Sequence, residues 1–294
     1  MGVQQEACGR TYRPLYSYPS GRVFSVILPK VILPLILLVA LGFGCAKKEA
    51  RLLRYAFSTE RGQRYRTTLT MSSSNGAMTQ ILLEETHHVQ EVSLDGNAWV
   101  EVRFDTAEVH LSDPQSLAAA FLARSLQGKV LRIKVSARGE VGSVDNSGAQ
   151  GSVAGIDLAQ TFSQVFPPLP EGPIRPGDSW TADRTGPVPS VQMDIVNRVA
   201  TKYTLLGYEK DAGKDIAKVK VNSRAELFGK SKESGAQGKL RGKMTGEGFI
   251  VFSLDEGRLI SLEMRNKTEV TSQDEEGKAQ KAATNQVVKV EALQ

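Results

Sequence analysis

The stretch "AWVEVRF", Ala98–Phe104, decides the fold class, because apolar and polar side chains alternate along it. Successive side chains of a β-strand point to opposite faces, so residues two apart share a face. One such set is entirely apolar: Ala98, Val100, Val102 and Phe104. Glu101 and Arg103 fall on the other face. The stretch therefore predicts a strand of a sheet that covers a hydrophobic core on one side.

The same alternation recurs in several later runs. It is clearest in "VLRIKV", "IAKVKV", "LISLEM" and "VVKVEAL". Glycine-containing turn signals separate the runs, at Asp95-Gly96, Gly139, Gly213 and Gly257. Short turns between alternating runs favour antiparallel hairpins over helical crossovers. The sequence predicts a mainly β protein of the α+β kind, with one large curled antiparallel sheet, or half-barrel, of about 10–12 strands.

Two segments interrupt the strand pattern and predict helices that pack on the sheet. In the first, Ser112–Gly128, Asp113 is a good N-cap and Pro114 suits the first helical position. The second, Ile156–Phe166, ends at Pro167-Pro168. A sharper alternative is that the apolar stripes of both helices line a hydrophobic ligand cavity. The candidate residues are Leu117, Phe121, Phe162 and Phe166.

A weak internal echo predicts a duplicated unit. Gly96 and Gly213 lie in similar stretches, as do Gly139 and Gly257, and the two offsets are 117 and 118 residues. Nearly equal offsets are expected if two copies of a strand-rich unit join into one sheet. Chance similarity of short turn motifs is the alternative.

Residues 1–45 have the layout of a secretory signal. An uncharged run of 14 residues, Val31–Gly44, follows Lys30 and ends at Cys45. A transmembrane helix needs about 20 apolar residues, whereas the apolar part of a signal peptide needs about 7–15. Residues 1–25 are polar, which is unusual for a signal and suggests a start codon assigned too early.

The end of this run resembles the lipobox of bacterial lipoproteins, which places a small residue directly before a cysteine. Gly44 and Cys45 match, while Gly42 stands where leucine is usual. The resemblance implies cleavage before Cys45, a diacylglycerol on its sulfur and a fatty acid on its new amine. Several acyl chains hold a protein to a membrane more stably than one. An uncleaved anchor over residues 24–44 and a buried core thiol are the alternatives.

In this interpretation, residues 46–51 are a short tether and residues 52–294 a single β-rich envelope domain, with a strand-like pattern from Leu52 onward. Lipoproteins with Asp after the cysteine are commonly retained at the inner membrane. Ala46 stands there instead. The resemblance therefore favours the outer membrane.

Recognised catalytic and metal-binding motifs are missing from the sequence. It contains no H-E-x-x-H, C-x-x-C, G-x-S-x-G or phosphate-binding glycine loop. His87 and His88 are adjacent in a predicted strand, so they face opposite sides and are badly placed to share a metal. The net charge of +5 comes without a basic stripe interleaved with aromatic residues. Asn266, in a glycosylation-like tripeptide, is predicted to be a solvated strand position.

The region from Leu52 to Leu262 resembles an uncharacterised family of bacterial β-rich lipoproteins. The resemblance rests on "LLRYAF…GQRYRTTLTM", "DGNAWVEVRF", "SARGEVGSV", "FPPLPEGPIRPGDSW" and "GFIVFSLDEGRLISLEM". It implies an envelope location and a β-rich architecture, with no assigned activity. At the level of the fold, the chain also resembles the half-barrels of periplasmic lipoprotein carriers, in which an acyl chain binds between helices and the concave face.

The sequence therefore predicts a non-catalytic envelope lipoprotein that is anchored to the membrane through Cys45. It would bind a hydrophobic ligand under its helices. Two alternatives stay open: a scaffold that binds another envelope protein, and an unrecognised hydrolase. No cofactor, metal or nucleic-acid partner is predicted.

Overall fold

The computed structural model describes residues 49–60, 62–74, 76–112, 125–145, 165–188, 193–232, 238–273 and 278–293. Within these residues, eleven strands form one antiparallel sheet. The strands are β1 (Gln63–Ser73), β2 (Met78–Val92), β3 (Ala98–Leu111), β4 (Val130–Val135), β5 (Val141–Asp145), β6 (Ser179–Val188), β7 (Met193–Asp211), β8 (Lys214–Ser231), β9 (Lys239–Ser253), β10 (Arg258–Gln273) and β11 (Ala279–Leu293). The prediction of a mainly β, antiparallel fold is confirmed.

The strand order is β5-β4-β3-β2-β1-β11-β10-β9-β8-β7-β6. Strands β1 to β5 step outward to one edge of the sheet, and β6 to β11 step inward from the opposite edge. The two runs meet where β1 pairs with β11, for example at Leu69 and Val288. The chain therefore crosses from one edge of the sheet to the other between β5 and β6.

The antiparallel arrangement gives the sheet two different ends. We call the end that carries the turns at residues 93–97, 136–140, 212–213 and 254–257 the closed end. The opposite end, which carries the β1–β2 turn, is the open end. The four glycines of the sequence echo lie in the four closed-end turns, each with a positive φ. The duplication itself stays a prediction.

Two segments outside the strands cross the closed end. The N-terminal segment, residues 49–57, forms a bridge to Ile174 through Arg51. The strap, residues 165–178, runs from the β4–β5 turn, where the Leu169 amide donates to Arg138, to β7, where the Gly177 amide donates to Leu205. The pattern from Leu52 is thus not a sheet strand, because its backbone bonds go to turns and to the strap. These two segments cover the closed-end core.

Backbone hydrogen bonds show that the sheet is strongly curled. The Tyr55 amide donates to Ala137 at 2.9 Å, and the next amide, Ala56, donates to Gly257 at 2.9 Å. These acceptors lie in turns at β4 and β10, which are five strand spacings apart and would be about 24 Å apart in a flat sheet. Adjacent residues are only about 3.8 Å apart. The inner face is therefore strongly concave.

The core fills the inner face near the closed end. The four residues that predicted β3 are at most 1% exposed: Ala98, Val100, Val102 and Phe104. Tyr55 of the N-terminal segment and Phe166 of the strap join this core, with ring centroids 5.6 Å apart. Tyr55 also meets Phe252 edge-on at 5.3 Å. The segments that cross the closed end thus add aromatic rings to the aliphatic face of the sheet.

The two predicted helices fall largely on residues 113–124 and 146–164, outside the described residues. Where the structure does describe the chain, no complete helix is present, so the helical part of the predicted fold is not supported. The described residues also contain no helix of sufficient length and hydropathy to span a membrane.

Candidate functional site

The inner face stays apolar well beyond the packed core. Residues that are paired in register on neighbouring strands share a face of the sheet. We call each row of such residues across the strands a rung, and several rungs cross β7 to β10. One open-end rung consists of Val199, Ala225, Met244 and Thr268. The next rung toward the open end adds Leu227 and Val270. The larger side chains here are half-buried rather than buried.

The outer face at the same level is charged. One residue away from the apolar rung, Arg198, Glu226, Lys243 and Glu269 form a rung of alternating charge, and all are exposed. Charged side chains are rarely buried, so their presence on the outer face is expected if this face contacts solvent. The contrast shows that the alternating pattern keeps the inner face apolar even where the core has ended.

A cleft of about 560 Å³ opens on the inner face of β6 to β11. Pro167 and Pro168 of the strap border it, together with Val141 of β5. Apolar side chains that line it include Val199, Tyr203, Val221, Met244, Ile250 and Met264. Its volume lies within the range of about 300–1,000 Å³ that is typical of small-molecule sites.

Tyr203 lies in the cleft wall and is held by Trp180 of β6. Its ring stacks on Trp180 with centroids 5.3 Å apart, and the Trp180 indole N–H donates to the carbonyl of Pro168 at 2.9 Å. Burial raises the pKa of Tyr203 to about 12. The phenol is therefore neutral at physiological pH, and the strap is fastened to β6 beside the cleft.

A belt of uncharged polar side chains divides the apolar inner face. We call it the polar rung: Ala182, Thr201, Ser223, Gly246, Asn266 and Gln286, paired in register across β6 to β11. The Thr201 hydroxyl donates to Ser223 Oγ at 3.4 Å. Asn266 Nδ2 donates to Gln286 Oε1 at 3.0 Å. Apolar rungs lie on both sides of this belt.

Asn266 leaves a hydrogen-bond acceptor unused. Its Oδ1 is buried and has no hydrogen-bond partner among the described residues. The bond to Gln286 fixes the amide so that Oδ1 lies over Gly246, where a Cβ would collide with it. Asn197, two rungs further toward the open end, also lines the cleft and also has a buried Oδ1 without a partner among those residues.

A second buried polar group lies in the closed-end core, away from the cleft lining. Glu85 and His87 are 1% and 3% exposed, and His87 Nε2 lies 3.0 Å from Glu85 Oε2. The His87 ring packs against Tyr65 and Phe166 at 4.8 and 5.7 Å. The neighbouring His88 is exposed, so the prediction that the two histidines face opposite sides is confirmed.

The predicted site residues are mostly outside the described residues. Leu117, Phe121, Phe162 and Cys45 all fall there, and their roles stay predictions. Phe166 is described: it is 4% exposed and packs in the aromatic core, while the neighbouring prolines border the cleft. Within the described residues, no cluster of three or more acidic, histidine or cysteine side chains could hold a metal.

The sequence interpretation of Asn266 was wrong. Asn266 lies in a strand, as expected, but it lines the cleft and its Oδ1 is buried, whereas a solvated side chain was expected. The flanking Arg265 and Lys267 are exposed on the outer face. A usable signal was the period of two: Leu262 and Met264 predict the inner face, and Asn266 is the next residue in that series.

Comparisons with known proteins assign no family. No protein-family model matches the chain. No curated protein matches it either. Among solved structures, a LolA superfamily protein from Nitrosomonas europaea is similar at 11% identity, over 81% of this chain and 86% of that chain, with a TM-score of 0.21. An outer membrane channel from Pseudomonas putida is similar at 10% identity, over 84% and 98%, with a TM-score of 0.17.

Proposed function

We propose that this protein is a non-catalytic envelope lipoprotein that binds an apolar chain in the inner-face cleft. One observation supports the ligand: the inner face of β7 to β10 stays apolar past the packed core, while the outer-face rung of Arg198, Glu226, Lys243 and Glu269 beside it is charged. Partly exposed apolar surface in a concave wall is a common feature of hydrophobic binding sites. The lipid anchor on Cys45 rests on the sequence alone.

The cleft lining supports binding rather than catalysis. Its inner-face rungs combine aliphatic side chains with neutral amides and hydroxyls, and its two charged residues, Asp183 and Arg184, are exposed on the edge strand β6. A hydrolytic site would require a nucleophile or general base with an orienting partner. The buried pair of that kind, Glu85 and His87, is enclosed in the core and does not line the cleft.

The experiment uses one of the two tryptophans as a reporter. Trp180 stacks on a residue of the cleft wall, whereas Trp99 lies on the outer face of β3, where Arg132 packs over its ring. The full chain with Trp99→Phe, held in phospholipid nanodiscs, therefore reports on the cleft alone. Methyl dibromostearate, a brominated ester that quenches nearby tryptophans, should quench Trp180 in a saturable manner.

Two matched variants on strand β7 test where the probe binds. Val199→Glu places a charge on the cleft wall and should abolish the quenching. Val196→Glu makes the same change on the outer face, where the side chain is 39% exposed, and should leave the quenching intact. Two results would contradict binding of apolar chains in the cleft: no quenching of Trp180 by the probe, or equal quenching of Trp180 in the two variants. A scaffold role would then be the better explanation.

Mass spectrometry of the full chain, gently extracted from bacterial membranes, tests the anchor separately. A covalent triacyl mass on a chain that begins at Cys45 is the expected result. If residues 1–45 stay intact and unmodified, the lipoprotein assignment is contradicted, and the cleft is not affected.

A further inference from the structure

We infer that the cleft selects an apolar chain that bears an uncharged hydrogen-bond donor, an amide N–H or a hydroxyl. This inference rests on the proposed function and names the chemical class of its ligand. The observation behind it is the pair of buried amide oxygens, Asn266 Oδ1 and Asn197 Oδ1, that lack a partner among the described residues.

An unpaired acceptor in such a place is costly. A buried polar atom that loses its hydrogen bonds to water costs about 1–3 kcal/mol unless another group replaces them. Most buried polar groups in folded proteins do find a partner. A ligand whose donors reach these two oxygens would supply the partners that they lack among the described residues.

The geometry determines which type of ligand group could form a hydrogen bond with Asn266 Oδ1. Its Nδ2 is committed to Gln286 at 3.0 Å, so the free oxygen presents an acceptor and not a donor. Gly246, opposite it on β9, has no side chain that could cover or satisfy this oxygen. A ligand carbonyl or ester oxygen would meet another acceptor here, whereas an N–H or O–H would form a hydrogen bond.

The polar rung also argues against a charged ligand group. Its members are hydroxyls, amides, a glycine and an alanine, and none of them could form an ion pair. A charge placed among them would lose its hydration without compensation, which is far more costly than burial of a neutral amide. Rungs on both sides of the polar rung are apolar, so the donor would sit partway along the chain or at its end.

The test compares two ligands that differ only in whether the amide nitrogen carries a hydrogen or a second methyl group. N-methylpalmitamide has an N–H, whereas N,N-dimethylpalmitamide keeps the carbonyl and the chain but has none. Both would be titrated against methyl dibromostearate bound to the Trp99→Phe full chain, with recovery of Trp180 fluorescence as the readout. Hexadecanol forms the third arm and distinguishes a hydroxyl donor from an amide donor.

We expect the amide or the alcohol to displace the probe at a concentration at least about tenfold lower than the dimethylamide. That factor corresponds to about 1.4 kcal/mol, a typical value for one hydrogen bond. Asn266→Leu should reduce the ratio to near one while leaving displacement by the dimethylamide unchanged. Asn197→Leu should reduce it in part. Asn222→Leu makes the same change on the exposed outer face of β8 and should have no effect.

The possible failures are distinguishable. If all three ligands displace the probe equally well, the donor requirement is wrong, but apolar-chain binding stands. If the probe itself does not quench Trp180, the proposed function fails first. Should Asn266→Leu not fold, Asn197→Leu alone must lower the ratio, and an unchanged ratio would overturn the inference.

Discussion

The closed and open ends of the inner face are built from the same strands yet differ in what covers them. At the closed end, Leu205 of β7 and Val219 of β8 are at most 2% exposed beneath the N-terminal segment and the strap. Toward the open end of the same strands, Val199 and Leu227 are only half-buried. The alternating pattern makes both regions apolar. Among the described residues, the covering segments, and not the sheet, distinguish the packed core from the half-buried region of the inner face.

The largest expected effect is a difference between two leucine truncations. Leu205→Ala removes a fully buried side chain and should lower the free energy of unfolding by about 3 kcal/mol, through lost burial and a cavity. Leu227→Ala removes a half-buried one and should cost less than about 1 kcal/mol. Urea unfolding followed by circular dichroism measures both. Equal losses would mean that the open end is also packed core, and the proposed cleft would be wrong.

The two ends can also be compared by the loss of stability when one buried polar side chain is removed from each. Glu85→Leu at the closed end deprives His87 of its only hydrogen-bond partner among the described residues, since His87 Nδ1 already lacks one there. We expect a loss of about 2–3 kcal/mol. Asn266→Leu at the open end removes an unpaired acceptor along with one hydrogen bond, and should change stability by less than about 1 kcal/mol. A large loss from Asn266→Leu would assign the polar rung a structural role instead.

Alanine substitutions at two closed-end glycines distinguish the cost of a strained turn from the cost of a clash with the covering segments. Gly139 and Gly213 have φ values of 80° and 83°, so alanine at either position is strained, at about 1–2 kcal/mol. A Cβ on Gly139 would also lie 2.6 Å from the Tyr55 ring and 2.7 Å from the Pro167 oxygen, whereas nothing lies within 4 Å at Gly213. Gly139→Ala should therefore cost about 1 kcal/mol more in the same unfolding assay. Equal losses would show that the N-terminal segment and strap move aside freely.

The sequence predicted the local features of this fold better than the long-range ones. Alternation predicted the inner face of β3, and the Asp95-Gly96 signal predicted the turn before it. Gly139 and Gly213 looked equivalent in sequence because both require a positive φ. Only the structure shows that Tyr55 occupies the space beside one of them. Contacts between distant segments are not encoded in periodicity, so the pairing of β1 with β11 and the crossing of the strap could not be predicted.

The candidate site shows the same limit. An apolar face was predictable, because Leu262 and Met264 fall at alternate positions. The polar rung was not, because each strand contributes only one residue to it. Ser223 lies on β8 and Asn266 on β10, and they become neighbours of Gly246 on β9 only through register. Sites assembled across a sheet, one side chain per strand, leave little trace in any one stretch of sequence.

The smallest expected effect concerns the pH dependence of the cover at the closed end. Asp215 Oδ2 lies 2.9 Å from Arg51 of the N-terminal segment, and its Oδ1 lies 2.8 Å from Lys210. The hydrogen bond from Lys210, and then that from Arg51, lowers the pKa of Asp215 below 3.8. A lowered folded-state pKa means that this contribution is present above the unfolded value and is lost as pH falls through the folded one. The closed end should therefore loosen only in acid.

Hydrogen exchange at the Arg51 and Ile174 amides, which form the bridge between the N-terminal segment and the strap, measures this loosening. Asp215→Asn should speed exchange at these amides severalfold at neutral pH, a small effect because exposed ion pairs are weak. At a pH well below 3.8 the variant and the wild type should exchange alike, because the wild-type carboxylate is then protonated. Asp211→Asn on the same hairpin is the matched control and should change neither rate. A variant that differs from the wild type equally at both pH values would show that the cover does not depend on this charge.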